Sequence, residues 1–199
     1  MQCVVPAAQP RSDVNPRAVS SNPPEIFTSR VVATGFEDPW EVAWGPDGFL
    51  WITERVGKRV VRVDPASGSR KVAVTIDEVH QTLAQDGLLG LVVHPQLLRG
   101  SNYVYVMYTY DADSGDGVER RAKIRRYTYE LATQQLGNPV DVLTDLPHGP
   151  DHGASRLVLG PDGKLYASRG DHGSNFLAYH CEPIRAQEVP TAADIRAAN

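Results

Sequence analysis

One phrase occurs three times in this chain. WGPDGFLWITER (residues 44–55) returns as LGPDGKLYASRGD (159–171), and VHPQLLRGSNYVYVMYTY (93–110) has the same grammar with a longer insertion at the turn. In each copy an apolar run reaches a turn rich in Gly, Pro or Asp, and a run of β-branched and aromatic residues follows, the sequence form of a hairpin. The copies begin near residues 45, 94 and 160, spacings of 49 and 66 residues. These lie near the upper end of the blade length in propellers of four-stranded sheets. A repeat of this kind cannot bury both faces alone, so each copy requires a neighbour packed on either side.

The stretches between the copies supply further strands. Residues 41–44, 49–55, 58–64 and 70–76 read as the four strands of one antiparallel meander, separated by Gly45-Pro46-Asp47-Gly48 and by Asp64-Pro65-Ala66-Ser67-Gly68. After the polar run 111–117 (DADSGDG), residues 122–130 and 137–143 complete the second unit. The expected fold is therefore all-β, about three blades of four-stranded antiparallel sheets over residues 28–199. Residues 1–27, with five prolines and no periodicity, read as a disordered lead-in. Residues 188–199 have helical composition, with Thr191 as N-cap, rather than the pattern of a closing strand.

Composition narrows the function classes. The net charge of −4, from 20 Lys+Arg against 24 Asp+Glu, gives no basic footprint for nucleic acid. No run approaches the length of an apolar membrane span. Two cysteines, Cys3 and Cys181, make no disulfide framework. The N-terminus lacks the charged and apolar regions of an intact signal peptide.

Chemistry-bearing residues concentrate in loops that precede first strands, at the end of a radial fold where sites are built. Pro147-His148-Gly149-Pro150-Asp151-His152-Gly153 precedes the first strand of the third copy. One reading is a polar turn with incidental histidines. The other is a general-base site, in which neutral His152 takes a hydroxyl proton and Asp151 raises its basicity. Gln85, in the equivalent loop before the second copy (QDGLLG, 85–90), offers an amide to a substrate hydroxyl, against the plainer reading of a turn leading into a core strand. The DADSGDG run has the wrong acidic spacing for a calcium loop and reads as an exposed hairpin. The alternating stripe Tyr103 to Tyr108 reads as a strand covered on both faces rather than a stacking platform for bases.

Taken together, WGPDGFLWITER, QDGLLG, VVHP (92–95), IRRYTYE (124–130) and PDHGASRLVLGPDGKLY (150–166) resemble the soluble quinoprotein sugar dehydrogenases of the glucose/sorbosone dehydrogenase group, which are six-bladed β-propellers. The resemblance runs in order from about residue 31 to 191 and covers about the first half of the family's ring. It implies oxidation of an aldose at C1 to the lactone, with pyrroloquinoline quinone (PQQ) and calcium as cofactors. It implies His152 as the base, Asp151 as its acidic neighbour, and Gln85 as a hydrogen-bonding partner of sugar and quinone. Phe176-Leu177 stand where the family carries a glutamine followed by leucine at the sugar site, so the resemblance does not fix glucose as the sugar. The family's other quinone contacts and its calcium ligands fall beyond residue 199, which implies a fragment inactive alone. A periplasmic or secreted location and a homodimer of the full-length form are also implied. Two other classes remain open: a non-catalytic propeller used for binding, and a metal-dependent sugar lactonase on a similar scaffold.

Overall fold

Ten strands follow one another along the computed structural model, which describes residues 26–149 and 152–170. They are β1 (Pro39–Trp44), β2 (Leu50–Glu54), β3 (Arg59–Val63), β4 (Arg70–Thr75), β5 (Leu88–Val93), β6 (Tyr103–Asp111), β7 (Arg120–Glu130), β8 (Gln135–Pro147), β9 (Ser155–Leu159) and β10 (Leu165–Arg169). Strands β1 to β4 form one antiparallel sheet in chain order, β5 to β8 a second, and β9 pairs with β10. No helix occurs among the described residues. The structure thus holds two complete blades of a propeller and the first two strands of a third. Residues 26–31, the described part of a separate N-terminal unit, carry no regular secondary structure. The expected tail over 188–199, Cys3 and Cys181 lie outside the described residues.

The recurring phrase folds the same way each time it is written with Gly-Pro-Asp-Gly. Gly45 N–H donates to Phe49 O, and Gly160 N–H to Lys164 O, both at 2.8 Å. The turns close through Gly48 (φ +78°) and Gly163 (φ +75°), whose left-handed backbone suits glycine. The long insertion in the second copy changes the connection but leaves the register. Trp44 faces Leu50, Val93 faces Val104 and Leu159 faces Leu165.

Burial explains why the apolar pattern of β6 is continuous rather than alternating. Val104, Val106 and Tyr108 pack with Trp51, Val60, Ile76 and Leu88 from the first sheet and the strand beside it. Tyr105 and Met107, on the opposite face, pack with Ala122, Ile124 and Leu157 toward β9. A strand covered on both faces has no solvent side to mark with polar residues. The stripe is therefore core, as expected, and the DADSGDG run is an exposed connection between β6 and β7.

The first strands of successive sheets stand side by side, β1 against β5 and β5 against β9. Hydroxyl groups tie them together. Thr53, fully buried on β2, accepts from Glu41 N–H at 3.0 Å and donates to Leu89 O on β5 at 2.7 Å. Ser155 Oγ accepts from Gly90 N–H at 3.0 Å, bridging β5 to β9. A methyl group on Gly90 would sit 3.0 Å from Ser155 Oγ and 3.2 Å from Arg156 Cα, so the close approach of these strands uses the absence of a side chain. This juxtaposition brings the loops before β5 and β9 to the same end.

Candidate active site

The loop before β5 is organised by one carboxylate. Asp86 is fully buried and accepts from Thr82 N–H (2.9 Å), Leu83 N–H (2.8 Å), Thr82 Oγ1 (3.2 Å) and Arg120 Nε (3.4 Å). Those bonds fold residues 82–86 back on themselves, with Gln85 half-buried at the turn. Gly87 follows in a left-handed conformation (φ +124°), and its N–H donates to Thr109 Oγ1 at 2.7 Å.

The loop before β9 is organised by a histidine. His148 is buried, and its Nε2 lies 3.2 Å from Gly153 O. A carbonyl only accepts, so Nε2 carries the proton of this bond. Burial pushes the His148 imidazole below its ordinary value of 6.5, and the positive charge of Arg169 adds to this. Arg169, at the end of β10, is itself lowered to about 10 by burial. His152, half-buried, adopts φ +51°, a left-handed backbone that a non-glycine residue takes at some cost.

The two loops meet. A methyl group added to Gly153 would collide with the His148 ring and stand 3.1 Å from Gln85 O, and one added to Gly170 would collide with the His152 carbonyl. Gln85, His148, His152 and the end of β10 therefore share one neighbourhood, although 67 residues separate Gln85 from His152. A cleft of about 380 Å³ opens beside them, lined by Trp40, Glu41, Ser155, Arg156, Ser168 and Arg169 among others. Arg156 Nη1 stands 3.6 Å from Glu41 Oε1 across it. Its lining sets polar side chains (Glu41, Ser155, Arg156, Ser168 and Arg169) beside apolar surface that includes Trp40, which suits a ligand with hydroxyl or carboxylate groups on a carbon ring.

Of the residues singled out in the sequence, the structure describes Gln85 and His152 and brings their loops together. Asp151, Phe176 and Leu177 lie outside the described residues. Asp86 and Arg169 were not assigned roles by the sequence reading. Asp86 had a legible signal, an Asp before a glycine at a loop end, whereas Arg169 is an ordinary charged residue at a strand end until burial is known. Among the described residues no group of three or more His, Cys, Asp or Glu could hold a metal ion, and no helix is long and apolar enough to cross a membrane.

The chain is 39% identical over 174 residues to quinoprotein glucose dehydrogenase B of Acinetobacter calcoaceticus, covering 86% of this chain and 36% of that protein. The PQQ-bound form of aldose sugar dehydrogenase from Streptomyces coelicolor superposes with a TM-score of 0.64 at 30% identity, over 78% of this chain and 44% of that one. The soluble aldose sugar dehydrogenase of Escherichia coli, in its apo form, has the same fold, with a TM-score of 0.55 at 23% identity over 67% and 38% of the two chains. The match thus spans less than half the length of each of these relatives. A sequence model described as Glucose / Sorbosone dehydrogenase matches residues 36–191, most of the chain. With that match over most of its length and the likeness to these relatives, the chain belongs to the glucose/sorbosone dehydrogenase family.

Proposed function

We propose that this chain forms part of a quinone-dependent aldose dehydrogenase that oxidises a sugar at C1 to its lactone. The observation that carries the reading is the meeting of the Gln85 loop with the loop of His148, His152 and Gly153, beside a cleft lined by Ser155, Arg156, Ser168 and Arg169. His152 takes the proton of the anomeric hydroxyl, which frees the electron pair on that oxygen to form the lactone carbonyl as hydride leaves C1. Asp151, adjacent in sequence, favours the imidazolium that results. Gln85 supplies an amide that donates to one oxygen and accepts from another, orienting the sugar.

Pyrroloquinoline quinone, when bound, supplies the acceptor for that hydride, so two electrons and one proton leave the sugar for it and the second proton goes to His152. The residues present fit such a planar polyanion, because Arg169 places positive charge on the cleft beside the Arg156–Glu41 pair. Gln85 and Arg169 are the residues that would hold it. For calcium, the described residues provide no comparable donor set, and no step here runs through that ion. Phe176 and Leu177 border the sugar in this reading, with an aromatic ring in place of an amide, and the substrate class is an aldose rather than glucose in particular. A periplasmic or secreted location fits the same reading.

Dye-linked aldose oxidation with added PQQ and calcium tests the proposal. Turnover is expected from a protein of the relatives' length that carries this segment, and none from residues 1–199 alone. His152→Ala lowers kcat by about 10³-fold, within the range for loss of a general base. Unchanged turnover in that variant removes His152 from the role.

A further inference from the structure

Gln85 lies on a turn rather than on a strand, and besides Asp86 and Arg120 this turn is held by a group from another sheet. Arg55, the residue after β2, is nearly buried, with 9% of its side chain exposed. Its Nη1 donates to Leu83 O at 2.9 Å and to Asp86 O at 3.0 Å, one carbonyl on each side of Gln85 in the chain. Its Nη2 is anchored by the Asp38 carboxylate. The Arg55 backbone takes part as well, since Leu88 N–H donates to Arg55 O at 3.2 Å. A methyl group on Gly87 would stand 2.7 Å from Arg55 O and 2.8 Å from Arg55 Cγ, so the turn is wrapped directly onto this side chain.

A guanidinium presents its donors in a fixed plane, and bonds from a charged donor are the stronger kind. Two of them, to carbonyls that bracket Ala84 and Gln85, restrict the backbone on which the Gln85 side chain is mounted. Asp86 alone leaves the Leu83 and Asp86 carbonyls without that restraint, because its carboxylate bonds to N–H and O–H groups only.

We propose that Arg55 is a positioning residue for Gln85: by bridging Leu83 O and Asp86 O from the first sheet, it sets the direction in which the Gln85 amide meets the substrate. The proposal rests on the reading of Gln85 as a site residue. It makes the first sheet, which contributes none of the candidate catalytic groups, part of the machinery.

The test follows the Gln85 side-chain amide directly. In ¹⁵N-labelled protein its NH₂ signal is identified by its loss in Gln85→Ala, and its mobility is read from the heteronuclear NOE with no ligand present. The signal is expected to be restricted in the parent protein and averaged in Arg55→Met, with the Trp51 indole signal of β2 unmoved as the check on folding. Should Arg55→Met fail to fold, Arg55→Lys keeps the charge beside Asp38 and loses the planar fork, and the same averaging is expected there. A Gln85 amide that stays restricted in a folded variant overturns the proposal.

A second readout separates positioning from general stability. In the ring-length protein, Arg55→Lys is expected to lower kcat about tenfold, the scale of a small misplacement of a reacting group, with KM changed less. In a Gln85→Ala background the same substitution is expected to cost nothing further. Losses that multiply across the two sites overturn the proposal. If Gln85→Ala alone leaves kcat unchanged, the catalytic reading of Gln85 fails, while the NMR result still decides whether Arg55 orients it.

Discussion

The Trp51 indole donates to Asp47 Oδ1 at 3.1 Å, and the Tyr166 hydroxyl donates to Asp162 Oδ2 at 2.9 Å, so one clamp occurs in two blades with different aromatic donors. The surroundings differ. Asp47 is 3% exposed and pairs with Arg62 at 2.7 Å, whose guanidinium lies 4.1 Å above Phe49 and 4.9 Å above Tyr129. Asp162 is 39% exposed, with Lys164 at 3.5 Å. Removing one partner of a buried pair leaves the other charge uncompensated, whereas an exposed pair is screened by water. Asp47→Ala is expected to cost about 3 kcal/mol in urea unfolding, and Asp162→Ala much less. Equal losses would show that the buried arginine adds nothing to the clamp.

That pair also shows where the sequence was legible and where it was not. The turn residues Gly-Pro-Asp-Gly and the apolar runs beside them carry local information, and local information placed every hairpin named in advance. The partners of Asp47 lie further away, at Arg62 on β3 and, through the ring stack, Tyr129 on β7. No periodicity announces such a contact. The candidate site divides in the same way. Histidine beside aspartate in a loop is visible in a string of letters, but the meeting of Gln85 with Gly153 depends on which strands stand side by side, and the buried state of Arg169 depends on what covers β10.

The meeting of the two loops yields its own test. Gly153 is buried against the His148 ring, with Gln85 O behind it, so a side chain there must displace one or the other. Gly153→Ala is expected to destabilise the protein by about 2 kcal/mol, the usual scale of overpacking. Adding His148→Ala removes the obstructing ring, and the double variant is expected to lose less than the two single losses combined. Additive losses, read by denaturant unfolding, would mean that Gly153 and His148 are not in contact.

The hydroxyl of the fully buried Thr53 links β1 to β5. Thr53→Val preserves shape and removes both bonds, leaving Glu41 N–H and Leu89 O to find other partners inside the protein. The expected cost is about 2 kcal/mol, since buried groups left unsatisfied lose their hydration without replacement. Hydrogen exchange at the Glu41 amide is expected to accelerate, while that of β7, remote from Thr53, stays as it was. Uniform acceleration across all strands would instead indicate a global loss of stability with no local component.

Acid should weaken this fold before its carboxylates titrate. His148 is depressed below 6.5 by burial and by Arg169, against a smaller opposing pull from the Gly153 carbonyl, the Gly149 backbone and Asp86. His94 is lowered in the same direction by burial. Once unfolded, each imidazole binds a proton near 6.5, whereas in the folded chain it resists doing so. The unfolded state therefore holds more protons in this window, and stability rises with pH across it. The contribution is complete above about 6.5 and is lost as pH falls through the depressed folded value. Asp64, Asp111, Asp141 and Asp162, all lowered from 3.8, act in the same direction but only at more acidic pH. The urea midpoint is accordingly expected to fall between about pH 7.5 and about pH 5.5, and His148→Gln is expected to remove most of that slope. The slope that persists in His148→Gln is assigned to His94 and should vanish when His94→Gln is added. A midpoint that holds constant or rises on acidification would show that neither imidazole is kept neutral by the fold.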